Sequence, residues 1–111
     1  MSERRQAERV KVTLDAHWEG VMAQCSGTVV DLSVTGCFIL TPDQVRPKEL
    51  IRVELLSPTG GRLYLWGEVV YQVHEMGFAL RFTGTTEKEE TMLNLLIDYL
   101  REAQAELQPC T

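Results

Sequence analysis

The chain has 111 residues, 44% of them hydrophobic and 24% charged, with a net charge of −5. These values fit one ordinary globular domain that can build a core without disulfides or metal. The acidic excess argues against a chain drawn as a whole to nucleic acid or to an anionic membrane, so any anion site must be a local basic patch. No apolar run is long enough to span a bilayer, and the first residues lack the apolar stretch of a secretory leader, so no membrane insertion is expected. The three cysteines, Cys25, Cys37 and Cys110, are odd in number and fit no zinc spacing. Reduced thiols in a cytoplasm are the expectation, since disulfides belong to oxidising compartments.

Residues 1–9 are polar and charged without periodicity and read as a flexible N-terminal arm. The folded domain is expected over 10–107. From Val10 to Trp18 the apolar residues Val10, Val12, Leu14 and Trp18 alternate with Lys11, Thr13 and Asp15, the period of a strand with one buried face. Gly27 to Leu32 is a β-branched run, Ser33 to Gly36 breaks it, and Cys37 to Leu40 resumes it. Thr41 to Lys48, with Pro42 and Pro47, is a loop. Leu50 to Leu56 alternates again, and Ser57 to Gly61 has the composition of a hairpin connection.

Arg62 to Val73 is the longest strand expected, with Leu63, Leu65, Gly67, Val69, Tyr71 and Val73 on one parity and Gly67 marking a bend or bulge. His74 to Met76 turns, and Gly77 to Phe82 returns with Phe78, Leu80 and Phe82 on one face. The period then changes. Thr86 to Glu89 fits a capping box, and Met92, Leu93, Leu96, Ile97, Leu100 and Ala103 follow at helical spacing, predicting an amphipathic helix from about Glu87 to about Gln104. Short strands followed by one helix, without βα alternation, predict a small antiparallel barrel that the helix plugs or flanks.

Two stretches carry chemistry. Arg4, Arg5 and Arg9 crowd one short segment, and arginine offers a planar fork of donors suited to phosphate and able to stack on a purine. The plain alternative is a solvated basic tail partly neutralised by Glu3 and Glu8. Asp31-x-Ser33-x-x-Gly36 joins two strands, and those residue types make a tight turn as readily as they line a ligand. In the functional reading the carboxylate accepts from a purine N–H edge, the hydroxyl donates to phosphate and the glycine clears space. One strand out and one strand back brings the two stretches together, as a ligand site requires. His17 and His74 have no companions at metal-ligand spacing, no metal site is expected, and Ser33 and Cys37 lack a base at a telling position. No catalytic residue is assigned. Trp18 is expected in the core, and Tyr71 either at a pocket mouth or in the barrel wall.

Arg5-x-x-x-Arg9 followed by Asp31-x-Ser33-x-x-Gly36 resembles the signature of the PilZ domain, the bacterial receptor module for cyclic di-GMP. Leu65 to Tyr71 is similar to the family's long central strand, and Gly77 to Phe82 to its closing strand, with Ala79 where glycine is frequent. The resemblance spans residues 3 to 104. It implies a six-stranded antiparallel β-barrel with a C-terminal α-helix. It also implies that Arg5 and Arg9 grip phosphate and the guanine edge, and that Asp31, Ser33 and Gly36 line the guanine and phosphate side. Arg4, directly before the first motif, goes in the family with two intercalated ligands rather than one, and Tyr71 resembles an aromatic at the ligand edge. The function implied is a non-catalytic receptor without a cofactor, acting through an unidentified downstream protein, as a monomer or weak dimer. The competing reading is a protein-interaction module of the same fold with little or no nucleotide binding. A nucleic-acid partner is not expected from so short an arm on an acidic chain.

Overall fold

The structure, a computed structural model, describes residues 9–19 and 24–107, with side chains through residue 103. Six strands, β1 (Val10–Glu19), β2 (Gln24–Leu32), β3 (Gly36–Leu40), β4 (Leu50–Leu56), β5 (Arg62–Val73) and β6 (Gly77–Phe82), precede one helix, α1 (Glu87–Leu107). The strands close into a barrel in the order β1-β2-β3-β6-β5-β4, each neighbouring pair antiparallel. Closure pairs every strand on both sides, although the β1–β4 seam is paired only from Ala16 to Glu19, so most of the wall presents side chains to solvent.

β1 keeps strict alternation along its whole length, with Val10, Val12, Leu14, Ala16 and Trp18 buried. Trp18 fills the interior and meets Phe78 edge-to-face, the ring centroids 5.3 Å apart. Val29 and Leu32 of β2, Cys37 and Ile39 of β3, and the buried apolar residues of β4, β5 and β6 complete the barrel core. α1 packs on β1 and β5 and buries Leu93, Ile97 and Leu100, an i, i+4, i+7 stripe. The expected capping box opens this helix: the Thr86 amide donates to Glu89 Oε1 at 3.0 Å, and the Glu89 amide donates to Thr86 Oγ1 at 3.1 Å. The helix runs three residues past the expected end at Gln104, to Leu107.

The β1–β2 ladder shifts register between Lys11 and Leu14, and two bulges elsewhere in the barrel re-aim side chains. In β2 the partners of β3 skip from Val29 to Asp31, so Val30 is an extra residue. In β5 the partners of β6 skip from Val69 to Tyr71, so Val70 is extra. The second bulge reverses the parity of the strand tail. Tyr71 and Val73, expected on the face of Leu63 and Leu65, are exposed instead. The β5 bulge is thus at Val70 and not at Gly67. Gly67 leaves room for the Leu80 side chain, which a Cβ there would meet at 2.6 Å.

Candidate functional site

β1 and β2 pair so that Val10 stands opposite Leu32 and Lys11 opposite Asp31. The residue at which the arm enters the barrel is thereby held beside the β2–β3 turn. Arg9 Nη1 lies 3.4 Å from Asp31 Oδ1, with both side chains partly open to solvent. Arg9 and Asp31, singled out separately in the sequence, are therefore neighbours. Arg4 and Arg5 lie outside the described residues.

The turn itself is built by Ser33. Its amide donates to the Gly36 carbonyl at 2.9 Å. Its Oγ accepts from the Thr35 amide at 3.2 Å, lies 2.9 Å from Thr35 Oγ1 and donates to the Gly36 carbonyl at 3.4 Å. Ser33 is fully buried, so its hydroxyl is engaged within the turn. Gly36 is needed for a reason other than positive φ, which it does not adopt. A Cβ at Gly36 would run into the Leu80 carbonyl oxygen of β6, so the missing side chain lets β3 and β6 close together.

From Asp31 a row of outward-facing residues crosses the sheet. Asp31 stands opposite Phe38 on β3, Phe38 opposite Ala79 on β6, and Ala79 opposite Tyr71 on β5. The Phe38 and Tyr71 rings are 6.4 Å apart and tilted by 42°. Ala79 between them contributes only a methyl group, so the two rings flank a shallow apolar floor beside the Arg9–Asp31 pair. The Val70 bulge is what turns Tyr71 onto this face, and the Val30 bulge is what brings Asp31 into line with Phe38. The charged groups next along the same face are Arg81 and Glu68, joined at 2.6 Å. This arrangement offers cationic forks, an acceptor and flat π-faces within one strip, which suits a ligand carrying both phosphate and an aromatic base.

A family comparison decides the identity of the fold. The PilZ domain profile matches residues 3–101. The chain belongs to the PilZ domain family. Among solved structures it is similar to the PilZ domain of YcgR from Escherichia coli, solved with c-di-GMP, at 15% identity and a TM-score of 0.81 over 94% of this chain and 96% of that one. It is also similar to the Bacillus subtilis inhibitor of motility MotI/DgrA, at 16% identity and a TM-score of 0.72. A third likeness is to MrkH of K. pneumonia in its apo state, at 12% identity and a TM-score of 0.73. The matches cover 96% of this chain in both of these last two cases, but only 53% and 54% of the larger relatives. No curated protein sequence matches the chain.

In this PilZ domain Phe38 is a residue of the candidate strip that sequence reasoning passed over. It lies in an unbroken apolar run, Cys37 to Leu40, where polarity does not reveal which residues face outward. The available signal was parity: Cys37 and Ile39 are buried, which leaves Phe38 on the outside. A second polar depression, of about 400 Å³, lies elsewhere on the wall between His17, Arg52, Glu54 and Tyr64. Its carboxylate is already engaged: Glu54 accepts from Tyr64 Oη at 3.0 Å and pairs with Arg62 at 3.2 Å and His17 at 3.4 Å. Desolvation pushes the Glu54 carboxyl up, but the Tyr64 and His17 hydrogen bonds and the Arg62 charge outweigh it and hold the group below its ordinary value. The Glu54 carboxylate is thus satisfied by groups of the protein itself.

Proposed function

We propose that this PilZ domain is a non-catalytic receptor for cyclic di-GMP that binds the nucleotide on the outer barrel face and signals to a protein partner. One observation carries this reading: Arg9, Asp31 and the Phe38–Ala79–Tyr71 row converge on one strip. The likeness to the YcgR PilZ domain, itself solved with c-di-GMP, adds support. Arg5 and Arg9 take phosphate and the guanine edge through bidentate donors. Asp31 accepts from the guanine N–H edge, and Phe38 and Tyr71 supply stacking faces, worth about 1–3 kcal/mol per base. Ser33 holds the turn that follows Asp31, and Gly36 lets β3 close on β6, so both act on the site through its scaffold. Arg4 adds a cation for a second, intercalated ligand. Binding brings the arm, residues 1–9, down on the barrel face, and the remodelled face meets the partner. The ordering of that arm costs entropy that the charged contacts must exceed.

The test is isothermal titration with cyclic di-GMP of the wild type, Arg5→Ala, Arg9→Ala and Ser33→Ala. Saturable wild-type binding, weakened at least tenfold in the arginine variants, is expected, since a hydrogen bond to a charged group is worth about 1.5–3 kcal/mol. No wild-type heat and no thermal shift at high ligand contradicts the reading. A second reading, an interaction module with little nucleotide affinity, draws on Ser33, whose hydroxyl is consumed inside the turn. In that case the motif is a turn-maker, and Ser33→Ala lowers stability without touching any nucleotide.

A further inference from the structure

Arg81 stands on β6 directly opposite Gly36 and, on its other side, opposite Glu68 of β5. It is thus the cation next to the far end of the β2–β3 turn, as Arg9 is next to the near end. The two arginines bracket the Asp31–Gly36 segment from opposite flanks. Arg81 also lies two residues along β6 from Ala79, which stands between Phe38 and Tyr71, on the same outer face. Its guanidinium is not idle: Nη2 is 2.6 Å from Glu68 Oε1, in a pair whose arginine is 62% exposed and whose glutamate is 27% exposed. An exposed pair of this kind contributes little to stability, so its main consequence is to occupy the guanidinium.

We infer that Arg81 is a further ligand cation of the outer-face site and that Glu68 sets the affinity by competing for it. The inference rests on the proposed nucleotide reading and deepens it. Glu68 holds Arg81 against β5. An anionic group laid over the turn offers the same fork a second partner, and Arg81 swings from the carboxylate to the phosphate or to the carbonyl edge of the base. Glu68 is then an antagonist on the rim of the site: the ligand must displace it before the second flank closes.

Titration of Glu68→Gln, Arg81→Gln and the double variant with cyclic di-GMP, beside the wild type, tests this. Glu68→Gln keeps the shape and removes the competing charge. It is expected to bind about two- to fivefold more tightly, the range that loss of an exposed ion pair allows. Arg81→Gln is expected to bind at least about tenfold more weakly, as the loss of a charge-assisted contact implies. In the Arg81→Gln background the Glu68→Gln gain should vanish, because nothing remains for Glu68 to hold. A purely structural pair would lower the melting temperature in each variant and leave affinity within about twofold of a binding wild type. That result overturns the inference and spares the receptor reading. A gain from Glu68→Gln that persists without Arg81 also overturns it, since the effect is then general charge removal. Absence of wild-type binding overturns the receptor reading and the inference with it.

Discussion

Cys37 lies under the Arg9–Asp31 pair, its side chain enclosed by the barrel. Burial pushes its thiol from an ordinary 9.0 up to about 12, with Arg9 pulling the value down and Asp31 adding to the rise. Between those two values the unfolded chain gives up a proton that the fold retains. Stability is therefore unaffected by this group below the ordinary thiol range, and falls as pH rises above it, by up to about 1.4 kcal/mol per pH unit. Urea melts at rising alkaline pH should show wild type losing stability more steeply than Cys37→Ala. Equal slopes would mean that the thiol is not enclosed as described. At the same scale, Ser33 and Gly36 show how one motif serves two ends. Ser33 closes the turn through its hydroxyl, Gly36 lets β3 approach β6, and Asp31 just before the turn meets Arg9 at the surface.

At the scale of the element, regular strands and the helix were legible because each buries one face of a repeating pattern. β1 and β6 face as their alternation predicts, and the Thr86–Glu89 box starts α1 where the residues place it. Replacing Thr86 by Ala should cost about 1 kcal/mol in a chemical melt, the usual worth of an N-cap, while Thr86→Ser should cost little. A loss below a few tenths in both would show that barrel packing alone fixes the helix start. The misreading of the β5 tail traces to a bulge. A single extra residue shifts everything after it to the other face, and neither Val30 nor Val70 differs in kind from its neighbours. Alternation carried past Val70 puts Tyr71 with the core, where the fold has it outside. The same two bulges assemble the aromatic row, so the nearness of Arg9 and Asp31 was legible in the motifs, but the cross-strand alignment that joins them to Phe38 was not.

For the molecule as a whole, the closed barrel presents side chains over most of its wall, and that wall is not uniform. One strip carries Arg9, Asp31, Phe38, Ala79, Tyr71 and the Arg81–Glu68 pair, while another carries the cluster around Glu54. With a net charge of −5, the proposed anion site calls for a local cationic patch, and the first strip carries Arg9 and Arg81. The most direct measurement is an amide chemical-shift map of isotope-labelled protein titrated with cyclic di-GMP. The account predicts that the largest shifts fall on Asp31, Phe38, Ala79, Tyr71 and Arg81, with the Glu54 cluster unmoved. Shifts centred on His17, Glu54 and Tyr64, or no shifts at saturating nucleotide, would contradict it.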